Sequence, residues 1–241
     1  MNTRKEIVVG KKTFDVFVLI EIVAVYAFWS AVKWIADSFQ IIGAGSIAMW
    51  AGIIISYFFM KRRGLNLFSS GLRLPKGWRD WIFNVALALV GVIVVVLFML
   101  FILDPIITKL GLETPPESHD RFAFFLGKPI LFFSYIILVV WVGAAMGEEL
   151  LFRGYILNRL SDLFGTSKIG WSLALCFHAI LFGSLHAYQG LPGIIGTAVV
   201  ALIFGVIYLL AKRRLFPGIL AHGLLNTISL SAYYLSDGAI T

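Results

Sequence analysis

Apolar residues dominate the chain in seven runs: Phe14–Ala36, Ile41–Met60, Trp81–Leu103, Ile130–Leu151, Ile169–Leu185, Pro192–Ala211 and Leu215–Leu235. Each approaches or exceeds the roughly 20 residues that a helix needs to cross a hydrocarbon core. Inside lipid no water satisfies the backbone, so such runs must close their hydrogen bonds internally, as helices do. The pattern predicts an all-α fold, a polytopic membrane bundle of about seven transmembrane helices. The first run is too long for a cleaved signal segment, carries Glu21 and Lys33, and is followed within a few residues by the second. The connections Lys61–Asp80 and Asp104–Lys128 contain Pro75, Pro105, Pro115 and Pro116, with Pro129 just beyond, and read as ordered loops or surface-lying segments. No repeat interrupts the pattern, so residues 1–241 are expected to form one integral-membrane domain.

Composition agrees. Of 241 residues 60% are hydrophobic and 14% charged, against about 45–50% and 25% in soluble domains. That excludes a soluble enzyme, a disordered chain and a collagen-like one. The single Cys176 excludes an intrachain disulfide or a CxxC metal knuckle. The net charge of +7 does not call for a nucleic-acid partner, because its placement is topological. Basic residues gather in Arg4, Lys5, Lys11 and Lys12, in Lys61, Arg62, Arg63, Arg73, Lys76 and Arg79, in a connection holding Arg153, Arg159 and Lys168, and in Lys212, Arg213 and Arg214. In a seven-span chain all four groups share one side. Short cytoplasmic loops concentrate Lys and Arg, which predicts a cytoplasmic amino terminus, most simply in a prokaryotic cell membrane.

Ionisable residues at membrane depth cost about 2.5–3.5 kcal/mol each and are functional candidates by default. Here they cluster. The fourth run leads through Glu148 and Glu149 into Arg153, the fifth holds His178 and Phe182 and leads into His186, and the seventh holds His222 and Asn226. Glu149 and Arg153 are four apart and can pair, while Glu148, rotated by about 100° on a regular helix, can face a cavity. His178 is expected to be an interhelical hydrogen-bonded histidine, and Glu21 a structural or interfacial residue. One feature resists straight helices. At 1.5 Å per residue, His186 lies about 27 Å beyond Lys168, far from a Glu148 placed at the basic side. The fifth helix must start deeper or tilt, or Glu148 must sit lower.

Several membrane-protease chemistries are absent from the sequence. There is no His-Glu-x-x-His, no Asp in the interior of a run, and Ser184 or Cys176 beside a histidine is a weak nucleophile signal. A carboxylate, two histidines and an amide remain. They suit a Glu base acting on water, a His sharing the proton and a His/Asn pair donating to an oxyanion. Glu148, His186 and His222 also suit a divalent metal such as zinc, so metal dependence stays open. The metal-free reading, with no cofactor required, is preferred.

Glu148-Glu149-x-x-x-Arg153, Phe182-x-x-x-His186 and His222-x-x-x-Asn226, in that order on successive apolar runs, resemble the motifs of the CPBP (Abi, CAAX-protease-like) intramembrane endopeptidases, a family that includes the type II CAAX prenyl endopeptidase. The resemblance covers a core of about residues 130–235. It implies that Glu148 and His186 activate water, that His222 and Asn226 form the oxyanion hole, and that Glu149, Arg153 and Phe182 support them. The expected substrate is a peptide or a membrane-tethered protein tail, prenylated or a peptide precursor, reached through a cavity open to the cytoplasm. The competing readings are a proton-coupled transporter or channel and a non-catalytic membrane scaffold.

Overall fold

The computed structural model describes residues 15–115 and 121–239. The basic residues Arg4, Lys5, Lys11 and Lys12, and Pro116, Glu117 and Asp120 of the long connection, lie outside the described residues. Each apolar run forms a helix: α1 Val16–Ser38, α2 Ala44–Arg62, α3 Gly77–Leu110, α4 Pro129–Phe164, α5 Lys168–Ser184, α6 Gly190–Leu210 and α7 Phe216–Leu235. No strand occurs among the described residues. Five of the helices, α1 to α4 and α6, are long and apolar enough to cross a membrane. α5, at 17 residues, is shorter, and α7 is not among the five. Large side chains such as Ile130, Phe101 and Ile180 stand exposed on the outer faces, as a surface solvated by lipid requires. The chain is an integral membrane protein.

Two helices depart from the sequence-based boundaries. α3 does not stop at Leu103 but continues through Pro105 to Leu110. Proline has no N–H to give a helix, and the wide turn Met99–Leu103 just before it takes up the register change. α4 does not stop at Leu151 but runs on to Phe164, wound wide with i→i+5 bonding over Ile136–Met146 and again over Glu149–Leu157. Arg153 and Arg159 therefore belong to a buried helix and not to a basic connecting loop. Arg153 has no exposed surface, and Arg159 pairs with Asp162 at 2.8 Å.

That extension resolves the depth problem. The α4–α5 turn lies well past Gly154, the residue that packs level with Ser70 and Leu215 at the start of α7. Starting from that distant turn, α5 returns to bring Phe182 beside Phe152, with ring centroids 4.9 Å apart. Glu148 sits near the middle of α4 and not at its basic end.

Three apolar clusters hold the bundle. The largest joins α1, α2, α4, α5 and α6 around Leu150–Leu157. A second joins α3, α6 and α7 through Ala88, Val95, Phe204, Ile207 and Ala221. A third closes the far end through Phe125, Phe132, Ile136, Val140 and Leu230. Small residues set the close approaches, as is usual where helices pack within lipid. A Cβ on Gly183 would lie 2.6 Å from the Ile194 carbonyl oxygen and 2.9 Å from the Ala198 Cβ. At the other end of the molecule Glu21 accepts from Arg63 Nε at 3.0 Å and from Tyr155 Oη at 3.3 Å, tying α1, α2 and α4 together. The hydrogen bond to Glu21 is the main reason that the Arg63 pKa is raised above its ordinary value. Glu21 is thus a structural residue.

Candidate active site

Glu148, His186, His222 and Asn226, brought from α4, from the end of α5 and from α7, all line one cavity of about 510 Å³. Phe182 and Arg153 line it as well, while Glu149 lies behind the wall. Although adjacent on α4, both carboxylates reach the same imidazole. His222 Nε2 lies 3.8 Å from Glu148 Oε2, and His222 Nδ1 lies 3.5 Å from Glu149 Oε1. One histidine bridges the two carboxylates.

Glu149 and Arg153 form the predicted pair, Oε1 to Nη1 at 2.9 Å, with side chains 1% and 0% exposed. Two buried charges are tolerable only when each compensates the other. Arg153 gains more: Nη2 reaches the Ala201 carbonyl at 3.5 Å, and its guanidinium lies over the rings of Phe182 at 4.9 Å and Phe204 at 5.6 Å. Phe182 is the hinge of this arrangement, touching Arg153 and, at 5.2 Å between centroids, His186. His186 Nδ1 lies 3.2 Å from the Phe182 carbonyl oxygen. A carbonyl can only accept, so Nδ1 carries the proton and Nε2 of the neutral ring is an acceptor.

His178 departs from expectation. It is fully buried against Phe152, at 6.0 Å between centroids, and neither ring nitrogen has a hydrogen-bond partner among the described residues. Ser184 bonds to the Tyr26 hydroxyl at 2.8 Å and to the Leu181 carbonyl at 2.7 Å, and Cys176 is exposed away from the cavity. Neither supplies a poised nucleophile. Glu148, His186 and His222 do not converge as three ligands on one metal would, and no group of three His, Cys, Asp or Glu does so among the described residues.

Residues 130–228 match the family model described as type II CAAX prenyl endopeptidase Rce1-like. This segment resembles an Rce1-like domain. No curated protein and no solved structure matches the chain. The Rce1-like domain contains Glu148, Glu149, Arg153, Phe182, His186, His222 and Asn226, and the match supports a protease activity within the membrane.

The cavity around the Rce1-like motif residues is not built by that domain alone. Trp29 and Lys33 of α1, Ser46 and Met49 of α2, and Val95 and Met99 of α3 also line it. Sequence reasoning missed these, and it missed Arg121 and Tyr188, whose side chains stack with the guanidinium carbon 4.6 Å from the ring centroid. Tyr188 stands two residues after His186, which was the available signal. Gly218 was also missed. It lies one helical turn before His222, where a Cβ would run into Glu149 Oε2.

The cavity extends toward one end of the bundle. Its lining runs from Arg153 and Phe204 outward to Lys33, Gly43, Arg121, Gln189 and Ser229. Those residues lie at the end formed by the α1–α2, α3–α4 and α5–α6 connections, opposite the basic loops around Lys61–Arg79 and Lys212–Arg214.

Proposed function

We propose that the chain is an intramembrane endopeptidase that hydrolyses a peptide bond with a water activated by Glu148. The observation that carries this reading is the meeting, in one cavity, of a carboxylate, a histidine with a free acceptor nitrogen and a His/Asn pair from three helices. The Rce1-like match supports the reaction class.

The steps follow from the residue chemistry. Glu148 takes a proton from water while His186 Nε2 accepts that water's second hydrogen. The hydroxide adds to the carbonyl carbon, and the oxyanion accepts hydrogen bonds from His222 and Asn226. The C–N bond then breaks, and the proton held on Glu148 passes to the leaving amine. Glu149, held by Arg153, faces His222 Nδ1 at 3.5 Å and orients the ring. The substrate is a peptide or a membrane-tethered protein tail. The motif residues do not converge on a common metal position, so no step is routed through a metal.

A transporter needs a path across the membrane, whereas the lining of this cavity extends inward no further than Arg153 and Phe204. The deciding experiment is cleavage of a fluorogenic peptide library by purified protein. Glu148→Gln is expected to lose the roughly 10²–10⁴-fold that general acid–base catalysis supplies while keeping the wild-type thermal unfolding profile. Turnover by this variant near wild type would exclude the Glu148 assignment, and no turnover by the wild-type protein would leave the scaffold reading standing.

A further inference from the structure

We infer that the substrate of this site is a polypeptide segment presented on the exoplasmic side of the membrane, the tail of an exported protein or a peptide held at the outer leaflet. The inference rests on the endopeptidase reading and adds the compartment from which the site is fed.

Two independent observations lead there. The first is the segregation of charge along the bundle. The loops between α2 and α3 and between α6 and α7 meet at one end, where Leu215 N donates to the Gly71 carbonyl at 3.0 Å and Arg214 pairs with Asp80. The start of α1 joins them through Glu21 and Arg63, 2.9 Å apart, and the α4–α5 turn lies at the same end. Of the described Lys and Arg, eleven flank this end and four the other, with Arg153 buried between. Retention of basic loops in the cytoplasm then orients the bundle.

The second is the direction of the cavity. It is closed toward the basic end by the Glu149–Arg153 pair, by Phe204, and by the unbroken buried run Leu150–Leu157. Its lining extends toward the opposite end, to Lys33, Arg121, Tyr188 and Ser229. A polypeptide on the cytoplasmic side would have to displace a buried ion pair to reach Glu148. One on the exoplasmic side meets the end of the cavity lined by Lys33, Arg121 and Ser229.

The test uses the full chain with Cys176 replaced by Ser, in sealed vesicles of both orientations. Ser229→Cys reports the mouth, with Gln189→Cys as a second reporter where the first folds poorly, and Leu74→Cys reports the basic end, where Leu74 is 68% exposed. A membrane-impermeant thiol reagent is expected to label the mouth cysteines in right-side-out vesicles only and Leu74→Cys in inside-out vesicles only. Mouth labelling from the inside-out face, or from neither face, overturns the inference. In parallel, an impermeant fluorogenic peptide is expected to be cleaved by right-side-out and not by inside-out vesicles, with loss in Glu148→Gln. Expected labelling without any Glu148-dependent cleavage overturns the endopeptidase reading and leaves the accessibility result in place, so the two failures are distinguishable.

Discussion

Arg153 is the residue on which most of the site's geometry converges. It has no exposed surface, yet it carries a full charge against Glu149 and lies under two aromatic rings. Removing one partner of a buried pair strands the other charge, which typically costs about 3–5 kcal/mol. Arg153→Ala is therefore expected to lower the detergent-solubilised unfolding temperature markedly, as well as turnover. An unchanged unfolding temperature would show that the pair is not structural. Glu148 differs from Glu149 in its surroundings: it faces the cavity and stands opposite His222 Nε2. Its replacement by Gln preserves shape, so the loss should be confined to catalysis. Cleavage is also expected to survive exhaustive chelation, measured with the same peptide assay. Loss on chelation and recovery with zinc would point instead to a rearranged site in which Glu148, His186 and His222 act as ligands.

At the scale of elements the wide-wound α4 and the glycines facing it decide the arrangement. The approach of α7 to Glu149 depends on Gly218, where a Cβ would collide with the carboxylate. Gly218→Ala should push Glu149 away from His222 and Arg153, lowering kcat more than KM while the helices remain assembled. Steady-state kinetics together with circular dichroism check this, and wild-type kcat would mean that Glu149 is free to move without consequence. Trp141, also of α4, supports α7 further along its length, donating from Nε1 to the Thr227 hydroxyl at 3.1 Å.

At the scale of the molecule, the first two helices are part of the site and not an appendage to it. Val18, Ile22, Val25 and Trp29 of α1 and Ala48, Met49 and Ile53 of α2 pack in the same cluster as Leu150–Leu157. Deleting α1 and α2 would strip the Leu150–Leu157 stretch of its packing and remove Trp29, Lys33, Ser46 and Met49 from the cavity lining. A fragment beginning near residue 70 is expected to be insoluble or inactive, by gel filtration and peptide cleavage, although it retains all of residues 130–228 matched by the family model. An active, monodisperse fragment would show that the domain stands alone.

The seven helices, the lipid-facing composition and the identity of the clustered polar residues were legible in the chain, because hydrophobic run length and intramembrane charge are properties of sequence alone. The motif spacing also placed Glu149 against Arg153. Tertiary structure decided the rest. Where α4 ends is invisible in hydropathy, since Arg153 and Arg159 read as loop charges until a buried Glu149 and a nearby Asp162 neutralise them. The depth of His186, the bridging of two carboxylates by His222, and the direction of the cavity all follow from that one boundary. It sets how far α5 must travel back before its polar end meets Glu148, and no periodicity within α5 records that distance.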